Sequence, residues 1–346
     1  MINEFKNKTI LVTGGTGSIG LEIVKQLLKQ KPKAVRVFAR HEDRHFSIMQ
    51  DLGIRESGEP LRFMIGDVRD RDRLKMAMEG VDIVFHAAAL KHIPMCEYNP
   101  FEAVKTNIIG TQNVIELARE LGVDKVISIS TDKVVDPTSV LGASKLMGEK
   151  LVLATYYYKG DKKTKFSCVR FGNVLGSRGS ILPLLKQQVF EKGKVTVTDK
   201  DMTRFVMTIP QAVDLVLTAA KMTKGHEIFV LKMPSVRIGD LVSAAVNYFA
   251  PLINKKSKDI KIENIGKRKG EKQHEDLLAS HEFDHALETD KMYILTPHKN
   301  FGVKEYAAMY PGARSARDQK FSSEHAIKLS ASQLESMIKE VDLNLV

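Results

Sequence analysis

The amino-acid sequence predicts an α/β protein in which a doubly wound parallel sheet is covered by helices on both faces. Three observations favour this fold. Short apolar runs rich in Val and Ile alternate with helix-compatible segments through the first half of the chain. A glycine-rich turn directly follows the first of these runs. The alternation breaks down after Gly172, which indicates a smaller C-terminal lobe beside the sheet.

The predicted strands and helices follow one another along the chain. The first strand covers residues 9–12, and an amphipathic helix follows at residues 21–30. Five further apolar runs have the length and composition of buried strands, at residues 34–39, 61–65, 81–87, 125–130 and 166–171. Because a helical segment separates each run from the next, we expect these strands to be parallel.

The second half of the chain has fewer regular patterns. Three helices are predicted there, at residues 182–190, 209–221 and 332–341. One strand is predicted at residues 226–231. We therefore predict a dinucleotide-binding Rossmann domain over residues 1–175, completed by residues 205–235. Residues 176–204 and 236–346 would form the smaller lobe and a C-terminal extension.

Composition excludes several classes of protein. Of the 346 residues, 43% are hydrophobic and 27% are charged, which is typical of a globular protein. The formal net charge is +11, but Lys and Arg are spread along the chain, so we expect no nucleic-acid partner. Cys96 and Cys168 have no metal-type spacing and form no disulfide framework, which predicts no metal and a reducing, cytoplasmic location. No stretch reaches the roughly 18 apolar residues of a membrane helix, so we expect no membrane insertion.

The turn after the first strand reads TGGTGSIG, at residues 13–20. Its glycines allow a tight turn and close backbone approach to a pyrophosphate, and the next helix directs free N–H groups at the anion. A plain glycine-rich loop is the alternative, but the position between strand and helix favours a cofactor site. The expected cofactor contacts are Gly14, Thr16, Gly17, Ser18, Ile19 and Gly20.

The end of the second strand indicates which dinucleotide binds. An NAD site has Asp or Glu here to hold the ribose 2′-hydroxyl, whereas this strand ends in Arg40, with Arg44 in the next turn. Two guanidinium groups suit a 2′-phosphate, so NADP is the predicted cofactor. A solvated arginine pair is the alternative, and Glu42 and Asp43 stand close by.

Small and acidic residues follow the next two strands. Asp67 and Val68 come after the third strand, and Ala87 and Ala88 stand at the end of the fourth. Each of these residues alone has a turn or packing role as its simpler explanation. Together, at the carboxyl ends of successive strands, they mark the crevice where ligands of open α/β sheets bind.

A reactive cluster is predicted at the end of the fifth strand. Thr131, Asp132 and Lys133 emerge there together, and opposite charges in a partly buried crevice can perform acid–base chemistry. A surface Asp–Lys pair is the alternative. Further along, Lys145 occupies the Lys position of the Tyr-x-x-x-Lys pattern of short-chain dehydrogenases, but Leu141 occupies the Tyr position and cannot transfer a proton.

These motifs resemble a known family. The segments STDK, GASK, AAALKH, EYNP, KTNI, RFGNV, SRGS, MTRF, GEK and FSS are similar to those of the UDP-N-acetylglucosamine 4,6-dehydratases of polysaccharide biosynthesis, which are extended short-chain dehydrogenases/reductases. The resemblance covers nearly the whole chain. Some members carry an apolar residue in place of the Tyr, and Leu141 is similar to these. The length is similar to that of the short members, several of which invert C5.

The resemblance implies a redox-neutral reaction. NADP+ would take a hydride from C4, a base would remove the C5 proton, water would leave from C6, and NADPH would return the hydride to C6. It assigns Lys133 to C5 proton transfer, Asp132 to the leaving hydroxyl, Thr131 to the 4-hydroxyl and Lys145 to the nicotinamide ribose. Further contacts to the cofactor or the UDP-sugar would come from Lys91, Asn107, Asn173, Arg178, Arg204, Arg268 and Glu271. A homo-oligomer is expected.

Two other functions remain open at this point. One is a UDP-sugar 4-epimerase or reductase of the same fold, although a 4-epimerase normally needs the missing Tyr. The other is a non-catalytic regulator that senses NADP. Loss of the Tyr favours the regulator, and retention of Asp132, Lys133 and Lys145 opposes it. Cys96 is a candidate proton donor, but a buried packing role is the simpler interpretation.

Overall fold

The computed structural model describes residues 3–54, 60–158, 160, 162–295, 307–316 and 321–343. Its strands are β1 Thr9–Thr13, β2 Ala34–Ala39, β3 Leu61–Ile65, β4 Ile83–His86, β5 Lys125–Ile129, β6 Lys165–Arg170, β7 Asn173–Leu175, β8 Lys194–Val197, β9 Thr203–Thr208, β10 Ile228–Leu231, β11 Ser235–Arg237, β12 Lys261–Asn264, β13 Ala286–Glu288, β14 Met292–Leu295 and β15 Arg314–Ser315. Its main α-helices are α1 Ser18–Leu28, α2 Glu42–Asp51, α3 Arg71–Met78, α4 Ile93–Tyr98, α5 Pro100–Ala103, α6 Gly110–Leu121, α7 Val140–Tyr158, α8 Ile181–Lys192, α9 Ile209–Met222, α10 Ile238–Phe249 and α11 Ala331–Leu343. A π-helical turn, Val104–Ile109, joins α5 to α6, and Asp132–Val134 forms a 3-10 turn.

The main sheet confirms the predicted fold class. Its strand order is β15-β13-β14-β10-β6-β5-β4-β1-β2-β3, and the seven strands from β10 to β3 pair in parallel. The order reverses between β1 and β4, which is where a doubly wound sheet opens a crevice at the carboxyl ends of its strands. The main hydrophobic core surrounds this sheet.

The predicted element bounds agree closely with the observed ones. Strands β2 and β3 match residue for residue, and the other predicted strands differ by one or two residues at an end. The largest difference is at α1, which begins at Ser18 rather than at residue 21. Gly17 is the last extended residue before the helix, so the glycine-rich turn is shorter than the pattern suggested.

In the ranges that the structure describes, the smaller lobe contains two short sheets and three α-helices, α8, α10 and α11. One sheet has the order β11-β9-β7, and the other pairs β12 with β8. A separate core joins α8, α10 and α11 through Leu182, Leu185, Leu241, Phe249 and Ile338. No helix in the described ranges combines the length and the apolar character required to cross a membrane.

The C-terminal part of the chain differs from the predicted division. Residues 236–346 were all expected in the lobe, whereas β13, β14 and β15 extend the main sheet. Strand β14 pairs antiparallel with β10, and its four residues are all buried. This pairing satisfies the backbone groups of β10, which would otherwise be the exposed edge of the parallel sheet.

Candidate active site

A cavity of about 620 Å³ lies at the carboxyl ends of the parallel strands. Such a volume is within the usual range for ligand sites, roughly 300–1,000 Å³. Most predicted site residues line it, namely Gly14, Thr16, Gly17, Ser18, Ile19, Gly20, Arg40, Arg44, Asp67, Val68, Ala87, Ala88, Lys91, Thr131, Lys133, Lys145, Asn173 and Arg178. Asp132, Asn107, Arg204, Arg268 and Glu271 are not among the residues that line it.

The glycine-rich turn brings backbone N–H groups to one end of the cavity. Gly14 has a φ of 66°, and a Cβ atom there would come within 2.7 Å of the Ala88 nitrogen, so a larger residue does not fit. Gly17 is the N-cap residue of α1, and having no side chain it cannot accept a hydrogen bond from the first N–H groups of the helix. The first N–H groups of the helix lack intrahelical partners, so they are available to an anion.

Cationic side chains surround the same end of the cavity. Burial lowers the pKa of Lys91, and the positive charges of Arg178 and Arg44 lower it further. Burial and Arg44 likewise lower the pKa of Arg178. Arg40 instead lies 3.8 Å from the carboxylate of Asp67. Because Arg44, Lys91 and Arg178 repel one another, an anion bound among them would stabilise all three.

Hydrogen bonds hold the loop that carries Arg178 across the glycine-rich turn. The Arg178 N–H donates to Ser18 Oγ at 2.9 Å, and its guanidinium donates to the Thr16 carbonyl. Lys91 Nζ donates to the Arg178 carbonyl at 2.6 Å. The loop therefore forms one wall of the cavity.

Several buried polar atoms on the cavity walls have no hydrogen-bond partner within the described structure. They are Thr106 Oγ1, Ser130 Oγ, Asn173 Oδ1 and Ser180 Oγ. Buried polar groups in native proteins are nearly always satisfied, so their clustering indicates a polar ligand. Together with the cations and the N–H groups, these atoms fit a phosphate-bearing dinucleotide and a polar substrate.

Four ionisable residues, Asp132, Lys133, Arg204 and Glu275, form what we call the Lys133 cluster. Lys133 Nζ donates to Asp132 Oδ1 at 2.9 Å, and Thr131 Oγ1 donates to the same oxygen at 2.9 Å. Glu275 Oε1 lies 4.0 Å from Lys133 Nζ. Although burial opposes it, the charges of Asp132 and Glu275 raise the pKa of Lys133. Asp132 is fully buried, and its Oδ2 has no partner in the described structure.

The side of the cavity expected to carry a Tyr is apolar. Leu141 lines the cavity and packs in a small cluster with Cys96 and Ala103. Burial and the charge of Glu97 raise the pKa of the Cys96 thiol, which supports its packing role. Lys145 donates to the Ile129 carbonyl at 2.5 Å, and burial lowers its pKa.

Asn107, predicted to contact the cofactor, holds the backbone instead. Its amide accepts from the Leu90 N–H at 2.9 Å and donates to the Leu90 carbonyl at 3.2 Å and to Ser144 Oγ at 3.0 Å. The residue is buried within the π-helical turn. These bonds fix the loop after β4 against α7, so Asn107 shapes the cavity without lining it.

The C-terminal residues predicted to bind the UDP-sugar also lie outside the cavity lining. Arg204 is buried, and its guanidinium donates to the carbonyls of Thr203, Lys272 and Gln273. Arg268 is half exposed and lies 3.9 Å from Glu271. Arg204 contributes its charge to the Lys133 cluster, whereas Arg268 and Glu271 bond each other on the loop beside it.

Among the residues of the site that were not predicted, His92 and Glu275 have charged or ionisable side chains. His92 lines the cavity and packs against Gly179, where a Cβ atom would come within 2.5 Å of its ring. Its position three residues after the last of the alanines that follow β4 could have identified it. Glu275 carries no such signal, because it lies in a loop between short elements.

A family model described as polysaccharide biosynthesis protein matches residues 10–297 of this chain. A Methanocaldococcus jannaschii protein named uncharacterized membrane protein MJ1061 is 54% identical over 94% of this chain and 96% of its own length. The inverting UDP-N-acetylglucosamine 4,6-dehydratase of Campylobacter jejuni serotype O:2 is 41% identical over 87% of this chain and 86% of its own length. A Rickettsia bellii protein named UDP-glucose 4-epimerase is also 41% identical, over 84% of this chain and 83% of its own length.

A solved structure extends the similarity to three dimensions. The X-ray structure of Pen from Bacillus thuringiensis has a TM-score of 0.89 to this chain at 42% sequence identity. The match covers 97% of this chain and 98% of that one. Both the sheet and the smaller lobe therefore have counterparts in a single known protein.

Proposed function

This chain belongs to the polysaccharide biosynthesis protein family of short-chain dehydrogenases/reductases, and we propose that it is an NADP-dependent UDP-N-acetylglucosamine 4,6-dehydratase that inverts C5. One observation carries the proposal. Lys133 lines the cavity together with Lys145 and forms a largely buried ion pair with Asp132. The position where short-chain dehydrogenases usually carry a Tyr is Leu141. The product would be a UDP-4-keto-6-deoxy-N-acetylhexosamine for surface polysaccharide synthesis.

The residues at the glycine-rich end fit a dinucleotide cofactor. The N–H groups of α1 would hold the pyrophosphate, and Arg40 and Arg44 would hold the 2′-phosphate. Lys145 would bind the nicotinamide ribose. When bound, the nicotinamide supplies hydride transfer, first from C4 of the sugar and then back to C6.

The Lys133–Asp132 pair accounts for proton transfer. Asp132 would take the 4-hydroxyl proton when C4 is oxidised, and the Lys133 ammonium, 2.9 Å from it, would lose one proton to solvent, which leaves an amine and a carboxylic acid. The amine form of Lys133 can accept the C5 proton of a 4-keto sugar, and the acid form of Asp132 can protonate the leaving C6 hydroxyl. Each dehydration then returns the pair to ammonium and carboxylate, and one solvent proton joins C5 when C6 is reduced.

The apolar wall at Leu141 determines where the 4-hydroxyl proton goes. Since Leu141 cannot accept a proton, Thr131 is the hydroxyl that would contact the 4-hydroxyl and relay its proton to Asp132, 2.9 Å away. Lys91, Asn173 and Arg178 would bind the UDP-sugar from the opposite walls. Arg204, Arg268 and Glu271 would act on the substrate side only through neighbouring loops.

The test is incubation of the purified protein with UDP-N-acetylglucosamine in deuterated water, without added cofactor. NMR should show loss of the C6 hydroxymethyl signals, a new methyl group, deuterium at C5 and the L-arabino configuration. The denatured protein should release NADP(H). A D-xylo product would reject inversion alone, release of NAD(H) would reject the cofactor choice, and a C4 epimer without water loss would favour the epimerase.

A further inference from the structure

Glu275 is an ionisable group in the Lys133 cluster that the proposed reaction does not use. Its side chain is 4% exposed, and its Oε1 lies 4.0 Å from Lys133 Nζ. Its Oε2 is buried without a hydrogen-bond partner in the described structure. A purely structural buried carboxylate is normally saturated with donors, so the free oxygen requires an explanation.

The chain holds Glu275 in place by backbone bonds from a distant segment, Phe321–Ser323, which we call the tail segment. The Glu275 N–H donates to Ser323 Oγ at 2.9 Å, and the Ser323 N–H donates to the Glu275 carbonyl at 2.8 Å. Ser323 is fully buried and also bonds Thr203. These contacts fix the backbone of Glu275 and leave its carboxyl group directed at Lys133.

The charges around Glu275 come from three elements. Asp132 and Lys133 face it from the 3-10 turn, Arg204 from β9, and Lys272 from its own loop. Burial raises the pKa of Glu275, and Asp132 raises it further, whereas Lys133, Arg204 and Lys272 oppose the rise. The raised pKa brings proton uptake by this carboxyl group nearer to neutral pH.

We propose that Glu275 is a positioning residue whose carboxylate stabilises the Lys133 ammonium that forms when this lysine takes the C5 proton. The inference rests on the proposed dehydratase function. Glu275 Oε1 lies 4.0 Å from Lys133 Nζ, so the two side chains attract each other without a hydrogen bond through which a proton could pass. In the reaction, the C5–H bond breaks and its proton joins the Lys133 amine, while Asp132 in its acid form gives a proton to the leaving hydroxyl. Glu275 holds the new positive charge and itself neither gains nor loses a proton.

The decisive variants are Glu275→Gln, which keeps the shape and removes the charge, and Glu275→Asp, which keeps the charge on a shorter side chain. Glu282→Gln is the matched control, because Glu282 is another largely buried carboxylate of the same region that pairs with Arg170 instead. The kcat and KM for UDP-N-acetylglucosamine are measured from pH 5 to 9.

We expect wild-type kcat to fall as pH falls through the raised pKa of Glu275. Glu275→Gln should lower kcat about tenfold to a hundredfold, less than a direct general base would. It should leave KM unchanged and remove the fall of kcat at low pH. Glu275→Asp should restore part of kcat together with its fall at low pH, and Glu282→Gln should keep the wild-type pH profile of kcat. A Glu275→Gln enzyme with wild-type kcat and pH profile would overturn the proposal, and so would a Glu275→Asp enzyme indistinguishable from Glu275→Gln.

A second measurement does not depend on turnover. The pH dependence of Lys133 acetylation by a small anhydride, followed by mass spectrometry, reports the pKa of its amine. Because Glu275 raises that pKa, the labelling curve of Lys133 should move to lower pH in Glu275→Gln and stay in place in Glu282→Gln. An unmoved curve overturns the proposal. If the labelling curve of Lys133 moves in Glu275→Gln but the wild-type protein does not dehydrate UDP-N-acetylglucosamine, the dehydratase function is rejected. The electrostatic interaction between Glu275 and Lys133 would still hold in that case.

Discussion

Replacement of Lys133 by Met removes the ammonium that lies between two buried carboxylates. At an effective dielectric constant of about 20, the attraction is roughly 6 kcal/mol across the 2.9 Å to Asp132 and roughly 4 kcal/mol across the 4.0 Å to Glu275. Desolvation offsets much of this, so we expect Lys133→Met to lower the free energy of unfolding by about 3–5 kcal/mol at pH 7. Dehydration should slow by about 10²–10⁴-fold.

The stability loss should depend on pH with a definite sign. Without the ammonium, Asp132 and Glu275 repel each other and Glu275 loses a charge that lowers its pKa, so Glu275 keeps its proton to a higher pH, above the ordinary carboxyl pKa of about 4. A carboxyl group whose pKa is raised in the folded state destabilises the protein increasingly as pH rises above the ordinary value. Urea unfolding of Lys133→Met should therefore show a larger deficit at pH 8 than at pH 5.

A double variant separates the two effects. Lys133→Met combined with Glu275→Gln removes the repulsion and should recover part of the stability at pH 8, while turnover of UDP-N-acetylglucosamine stays lost. The reasoning would be refuted by a folded Lys133→Met enzyme with wild-type turnover. It would also be refuted if the deficit were equal at both pH values, because the carboxylates would then not interact through Lys133.

Three further outcomes follow from the geometry. Leu141→Met should keep most of the turnover and lose less than about 1.5 kcal/mol of stability, since the two side chains have similar volume; a folded but inactive variant would contradict this. Arg40→Asp should shift the dinucleotide released on denaturation from NADP(H) towards NAD(H) by about tenfold or more, as loss of one charged hydrogen bond implies; an unchanged ratio would remove Arg40 from the cofactor site. Arg170 holds the pKa of Glu282 below its usual range although burial opposes this, so Glu282→Gln should be destabilising at pH 7, and the deficit should shrink as pH falls below the ordinary Glu pKa of about 4.3, as measured by urea unfolding; a deficit that grew towards low pH would contradict the assignment.

The fold and the cofactor side of the site were predictable because their signals are local. A buried parallel strand is a short apolar run that can be recognised in the sequence. The glycine pattern at residues 13–20 likewise predicts both a tight turn and the helix that follows it. The residues expected at the carboxyl ends of β1, β2, β3 and β4 line the cavity, since parallel strands bring those ends to one edge. Arg178 also lines the cavity, and only the resemblance to the family pointed to it.

The C-terminal side was less predictable because its contacts join segments far apart in sequence. Arg204 has the residue type expected of a diphosphate ligand, yet three backbone carbonyls satisfy its guanidinium. Glu275 lies in a loop without periodicity, and its position depends on a backbone pairing with Ser323. Strands β13 and β14 are short, and their place in the main sheet depends on the free edge of β10. Nothing in a single sequence marks these partners.

The pairing between Glu275 and the tail segment has a consequence for the order in which a nascent chain matures. The residues that line the cavity fall between Gly14 and Ser180, and the last parallel strand of the sheet ends at Leu231. Because N-terminal parts fold first during synthesis, we expect a ribosome-bound chain to form this cavity early. Glu275 acquires its partner Ser323 only after residue 323 has been translated. The growing polypeptide can therefore form the cavity before Glu275 is fixed beside Lys133.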